Sequence, residues 1–310
     1  MPATITHYVF LKELHLEDNK VYNIGTQGPD PFFFYEYGIR KLPNSKKIAQ
    51  IGHFLHDINP IITFNYFVKL IKNEHNEYTR KVLKDYLFGI VSHYALDSTA
   101  HSYIFYKSGF VTDEDKNSKK FFLSHATIEH NIDVLIRDKY GYKINPIQAL
   151  KIKNKDLKII SNAWYKYLKD TFKYDYISEN NFQIGLKRMR FIYKILYSKT
   201  GFRKAIFNKF FHNSALNAFS HPRIKKVLPY DFLNLKKETY KHPVTGEESN
   251  YSFIELMEKG KERYNLLATE IEKLINEDYN DNKLKEIIDD IDHNGKKVDS
   301  VMKYYDYLLK

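Results

Sequence analysis

Three short runs place histidines and carboxylates at helical spacing. They are Gly52-His53-Phe54-Leu55-His56-Asp57, Ser92-His93-Tyr94-Ala95-Leu96-Asp97-Ser98-Thr99-Ala100-His101 and Ser124-His125-Ala126-Thr127-Ile128-Glu129-His130. Residues three or four apart share a helix face, so each run directs two donors at one point. Imidazole and carboxylate without thiolate make the donor set of a borderline divalent ion, zinc first. The middle run also sets the number of ions. On a continuous helix His93 and His101 stand about 12 Å apart along the axis, whereas zinc–ligand bonds are about 2.0–2.2 Å long. No single ion binds both. Asp97 lies between them and has two oxygens with which to bridge. The minimal reading is two metals, with His93 and Asp97 on one and His101, His125 and Glu129 on the other.

A plainer reading exists for each part. A lone histidine on an apolar face is usually a core residue, and a single H-x-x-x-E pair is usually an exposed helix contact. Three such runs together argue otherwise, because Tyr86-Leu87-Phe88-Gly89-Ile90-Val91 buries the helix just before His93. Buried imidazole and carboxylate must be paired or metal-bound. His15, His75, His212, His221, His242 and His293 fall outside the pattern and read as ordinary surface or capping residues. His130 faces about 100° away from Glu129 on the helix and reads as a supporting or solvent-exposed residue.

The chemistry that suits this donor set is phosphodiester hydrolysis. Two neighbouring metals bind the phosphoryl oxygens and acidify a water, and a carboxylate outside the metal shell orients or deprotonates that water. Asp30 is the candidate, since Gly28 and Pro29 before it suggest a tight turn that fixes its direction. Its alternative is a helix N-cap or turn aspartate. Phe32, Phe33, Phe34, Tyr35 and Tyr37 follow as an aromatic cluster, most of it core, with one or two residues lining a cleft.

These side chains need rigid carriers, and the patterning supplies helices. Apolar spacing near 3.6 marks Ile62 to Leu70, Tyr78 to Tyr106, Phe121 to Tyr140, Asp156 to Phe172, Asn181 to Tyr197 and Phe202 to Phe219. Pro222, Pro229 and Pro243 make 220–250 a long ordered loop or linker. Ser252-Phe253-Ile254-Glu255 is a capping box that opens a helix toward Ile275. A last helix starts near Asn282, with a break at Asn294-Gly295. No repeat or strand-rich segment stands out. The expected fold is all-α, a multi-helix bundle enclosing a multinuclear zinc site, with a helical domain over 1–220 and a helical extension over 221–310 packed on it.

With 310 residues the chain can bury a substantial core. It has no cysteine, which removes disulfides and thiolate ligands and fits a reducing compartment. Residues 1–20 include Glu13, His15, Glu17 and Asp18 and show no apolar core of a secretory leader. No apolar run approaches the roughly 20 residues of a bilayer span. A cytoplasmic location, peripheral to a membrane at most, is expected. The net charge of +11, from 49 Lys+Arg against 38 Asp+Glu, favours an anionic surface or substrate, although a lysine-rich composition serves solubility equally.

Taken together these residues resemble the bacterial zinc-dependent phospholipase C family. The resemblance rests on Thr6-His7-Tyr8, Gly28-Pro29-Asp30-Pro31-Phe32-Phe33-Phe34, the Gly52–Asp57 run, His93-x-x-x-Asp97, His101 and His125-x-x-x-Glu129. It covers about the first 135 residues; His242-Pro243-Val244-Thr245-Gly246-Glu247 is a thinner match beyond them. It implies an all-helical domain with up to three zinc ions that hydrolyses phospholipid phosphodiesters. By that resemblance His93 and Asp97 bind one zinc with a histidine of the Gly52 run, His56 by preference and His53 otherwise. His101, His125 and Glu129 bind the second. His7 serves a third zinc with Asp97, and Asp30 is the general base. The secreted members complete the third site with an N-terminal tryptophan, whereas the single tryptophan here is Trp164 and the sequence opens Met1-Pro2. Two or three ions are therefore expected. The interval from Asp97 to His101 is shorter than in those members. Pro31 stands where they carry a choline-facing aromatic, so head-group preference does not carry over. The alternatives are a zinc-dependent single-strand nuclease or nucleotidase, with nucleic acid as substrate, and a non-catalytic zinc-binding scaffold. Glu129 favours the lipase side, because the nucleases commonly end the ligand series with histidine and aspartate.

Overall fold

Apolar residues that recur every three to four positions fold this chain into helices wrapped around one long central helix. The computed structural model describes every residue except 1–3, 17–18, 39, 112–117, 119–120, 211–214, 278–279, 307 and 309–310, and not the side chains of 122, 215 and 216. The helices are α1 (Thr4–Glu13), α2 (Lys20–Gly25), α3 (Ser45–Asp57), α4 (Ile61–Lys72), α5 (Glu77–Ser108), α6 (Phe122–Lys139), α7 (Pro146–Ala149), α8 (Asn154–Phe172), α9 (Asn181–Leu196), α10 (Phe202–Phe210), α11 (Ala215–Ala218), α12 (Ile224–Val227), α13 (Phe253–Asn276) and α14 (Asn282–Ile288). A 3-10 helix spans Asp30–Glu36, and the antiparallel pair β1 (Tyr240–Lys241) and β2 (Glu248–Ser249) is the one sheet among the described residues. The molecule is all-α in class, as the patterning predicts. No helix among the described residues is long and apolar enough to cross a membrane.

Helix α5 is the axis. The Asn76 side chain caps its start by accepting from the Thr79 amide at 2.9 Å, and Gly109, at φ +67°, ends it. Every residue from Tyr86 to Asp97 is buried, so its middle touches neighbours on all sides. Helix α2 crosses it where Gly25 meets Gly89. A Cβ on Gly25 would lie 2.6 Å from the Gly89 Cα, so the two glycines set the closeness of that crossing. Helix α13 lies along α5 behind the predicted capping box of Ser252 and Glu255. Its Tyr264, Leu267 and Ile271 share one core with Tyr86, Leu87 and Trp164, so the segment after residue 250 packs into the same interior as the ligand helices.

The 3-10 helix sits between α3 and α9. Its Phe32 turns inward, edge-on to Trp164 at 5.6 Å and to Phe182 at 5.5 Å, which anchors the segment that begins with Asp30. Two predicted elements end early. The pattern over Phe202 to Phe219 becomes α10 and the short α11, with 211–214 between them outside the described residues. The last helix stops at Ile288, where Asp289 takes the left-handed conformation; the expected break at Asn294-Gly295 lies within the turn that follows.

Candidate metal centre

Five imidazoles and three carboxylates from α1, the 3-10 helix, α3, α5 and α6 converge in three groups, each with its ligand atoms within 4.8 Å of one another. The groups are His7, His93 and Asp97; Asp30, His56 and His93; and His101, His125 and Glu129. Asp97 is the hub. Its Oδ1 lies 3.0 Å from His7 Nε2 and 3.9 Å from His101 Nε2, and its Oδ2 lies 3.1 Å from His93 Nε2 and 4.0 Å from His56 Nε2. Asp30 Oδ1 is 3.2 Å from His56 Nε2, and Glu129 Oε1 is 3.1 Å from His125 Nε2 and 3.4 Å from His101 Nε2. Two ligands on one tetrahedral zinc are about 3.3 Å apart, given bonds of about 2.0–2.1 Å. The observed separations fit that figure.

Hydrogen bonds on the far side of each ring explain what these contacts are for. His56 Nδ1 lies 2.7 Å from the Gly52 carbonyl, His93 Nδ1 3.0 Å from the Thr26 carbonyl and His101 Nδ1 2.6 Å from the His293 carbonyl. A carbonyl only accepts, so each Nδ1–H must donate, and the neutral ring then points its Nε2 lone pair at the centre. There it meets a carboxylate oxygen, itself only an acceptor. Two facing lone pairs at about 3 Å repel unless a cation stands between them. His93 Nε2, Asp97 Oδ2 and Asp30 Oδ2 have no hydrogen-bond partner among the described residues, and all three side chains are buried. The donors fit a set of dications.

Protons compete for the same positions. Burial resists charging His101, but Asp97 and Glu129 beside it outweigh burial and push it up to about 9. Burial likewise opposes a charge on His56, and Asp30 overcomes it, holding His56 above the usual histidine range. His93, enclosed and facing other imidazoles, is pulled well below that range. Burial would raise Asp97, but His101, His93 and His7 hold it well below the ordinary carboxylate range. The sign for His101 follows. A raised value favours the protonated ring up to about pH 9, and zinc must displace that proton to bind. Zinc affinity should therefore rise between pH 6.5 and 8.5, by about tenfold per pH unit if one proton leaves per ion. Competition against a chromophoric chelator at several pH values measures this, and a flat profile would contradict it.

His56 and not His53 joins a ligand group; His53 is exposed and lies edge-on to Phe33 at 4.5 Å. Asp30, expected outside the metal shell, stands within a ligand group. Gly28, at φ +46°, makes its approach possible, since a Cβ there would lie 2.4 Å from His93 Cδ2. Among the remaining histidines, His15 and His75 are exposed, and the His242 ring accepts the Val244 and Thr245 amides in a turn. His212 lies outside the described residues.

His221 and His293 correct the reading as surface or capping residues, and His130 proves buried and not solvent-exposed. His130 and His221 are buried with ring centres 4.7 Å apart. His221 Nε2 lies 3.1 Å from Asp133, whose carboxylate also takes the Ile5 and Thr6 amides at 3.2 and 2.7 Å. This carboxylate caps α1 and thereby sets His7. His293 is only 3% exposed, with its ring 5.1 Å from that of His56 and 5.5 Å from that of His93. It belongs to a turn closed by a bridge between Ile291 and Lys297. The turn clamps the ligands of two groups, because the His293 amide donates to the His56 carbonyl at 3.2 Å while its own carbonyl holds His101. Asn294 adds a bond to Asp57 at 2.9 Å. The motif Asp292-His293-Asn294-Gly295 reads as turn grammar, and no periodicity signals that it folds back onto a site so distant in sequence.

A cleft of about 560 Å³ opens over the centre. His56, Asp97, His101 and His125 form its polar floor, while Phe33, Tyr37, Phe105, Phe121, Phe219 and Met302 give it apolar walls. Phe33 and Tyr37 are thus the members of the aromatic cluster that face the cleft, and Phe32 and Phe34 are core.

A family model described as zinc dependent phospholipase C matches residues 1–182. No curated protein and no solved structure gave a match. The matched span holds all eight residues of the three ligand groups and excludes the His293 turn.

Proposed function

Because the chain belongs to the zinc-dependent phospholipase C family, we propose that it hydrolyses phospholipids, releasing diacylglycerol and a phosphorylated head group. One observation carries this reading: five imidazoles and the buried carboxylates of Asp30, Asp97 and Glu129 converge, with Asp97 as the hub, under an apolar-walled cleft. Asp30, His56 and His93, with one oxygen of Asp97, are assigned to one ion. His101, His125 and Glu129 are assigned to a second. His7 and the other Asp97 oxygen are assigned to a third.

When bound, zinc neutralises the phosphoryl oxygens and makes water acidic enough to attack at neutral pH. The chain supplies position and proton transfer. Asp97 offers an oxygen to each side, so the phosphodiester lies across the hub. Asp30 Oδ1 faces His56, and its Oδ2, which has no partner among the described residues, is assigned as acceptor of the proton from the attacking water. The aromatic walls hold the glycerol end of the lipid and exclude bulk water. Glu36, Asp57 and Lys296 bring both signs of charge to the cleft lining, so the walls favour no single head group.

The test is diacylglycerol release from mixed phospholipid vesicles by zinc-loaded protein. Chelation should stop it and zinc should restore it. Phosphatidic acid or free fatty acid as product would place the cut at another bond and overturn the reading. Degradation of single-stranded DNA without lipid cleavage would move the activity to a nuclease.

A further inference from the structure

The net charge of +11 is concentrated. Of the 49 Lys+Arg, 11 lie in residues 181–230, which contain no Asp or Glu; the remaining 38 are matched by the 38 Asp+Glu of the rest of the chain. Lys204 contributes least outward, since burial pulls it to about 8 and it is bonded to the Asn217 carbonyl. Lys187, Arg190, Lys194, Lys199 and Lys209 are exposed.

The same segment exposes large apolar side chains in helical register. Helix α10 buries none of its residues. Its Phe202, Ile206 and Phe210 are 58, 37 and 67% exposed and stand four residues apart, on one face. Phe191 and Ile195 of α9 repeat that spacing and are also exposed. Arg203 bonds the Ile195 carbonyl at 2.6 Å, which fixes the start of α10 beside the end of α9. Isolated apolar residues on a surface need no explanation. Three in register on α10 and two on the adjoining α9, within a stretch that contains no acid, make an apolar surface of the kind that marks an interaction site.

The patch borders the cleft. Phe207, from α10, packs against the small cluster that contains Ala126 and Phe219, and both of those line the cleft. We propose that this face of α9 and α10 docks the protein on an anionic lipid surface. The apolar side chains enter the boundary between head groups and acyl chains, and the basic residues lie over acidic head groups. A second copy of the chain would set one basic face against another. A nucleic acid would match the charge but give Ile195 and Ile206 nothing to bind. The proposal rests on the phospholipid reading of the site for its purpose, but binding is measured without turnover.

The experiment is sedimentation of the full chain with sucrose-loaded vesicles, of phosphatidylcholine alone and of phosphatidylcholine mixed with phosphatidylglycerol. Partition onto the mixed vesicles should be at least about tenfold stronger and should fall with salt. The variant Phe202→Ser/Ile206→Ser/Phe210→Ser should lose at least about tenfold in partition. Lys194→Glu/Lys209→Glu should lose the preference for the anionic vesicles. Both variants should keep the wild-type zinc content and thermal unfolding, since the replaced side chains are exposed. Wild-type protein that ignores vesicles, or an apolar-to-serine variant that binds like wild type, overturns the proposal. So does a dimer that the same variant dissolves, or binding to single-stranded DNA in place of vesicles. Protein that sediments with vesicles but releases no diacylglycerol supports the docking face and counts against the catalytic reading instead.

Discussion

Asp97→Asn is expected to cut phosphodiester turnover by about 10³-fold or more, at the upper end of what removing one electrostatic group from a buried site costs. The reason lies in the lone pairs. Asp97 faces Nε2 atoms of His7 and His93 at 3.0 and 3.1 Å, contacts that invite a cation. Asparagine keeps the shape, but its one amide nitrogen replaces one of the two oxygens and can donate to the imidazole nitrogen on that side, while the remaining carbonyl oxygen carries no charge with which to hold a cation. The variant should therefore lose zinc from the groups that use Asp97 and His93, while His101, His125 and Glu129 stay loaded. Zinc content and diacylglycerol release, measured on one preparation, check both halves. Full zinc content with normal turnover would remove Asp97 as the bridge.

Asp30→Asn should lower the rate by about 10²–10⁴, the size of a general acid–base contribution. The substitution also reports how Asp30 acts. Because Asp30 Oδ1 faces His56 Nε2 at 3.2 Å, zinc at the His56 and His93 group should weaken along with the rate. A rate loss with full zinc content would instead place Asp30 outside the metal shell, as the motif alone suggested. A variant with unchanged rate would remove it from the mechanism.

What the sequence disclosed about this site followed the range of its signals. Helical spacing is local, so the approach of His93 to Asp97 and of His125 to Glu129 was legible, and the expectation of at least two ions came from the length of α5 alone. The bundle was legible for the same reason, down to the capping box of α13. His53 and His56 both satisfied the spacing, and only the folded arrangement, which buries His56 beside Asp30 and leaves His53 exposed, separates them. The His293 turn was not legible, because a turn motif specifies its own backbone and nothing about where it lands. His221 was equally hidden, since its partner Asp133 also caps the helix that carries His7. The 202–219 pattern shows the opposite failure. Its apolar period predicted one helix facing a core, but in α10 that face meets solvent.

The number of zinc ions per chain tests the account most directly. Protein reconstituted with zinc, freed of excess metal and measured by elemental analysis against amino-acid analysis should hold at least two ions, and three if His7 and Asp97 complete their own site. A value of one or fewer, in protein that unfolds cooperatively, would contradict a multinuclear centre built around Asp97.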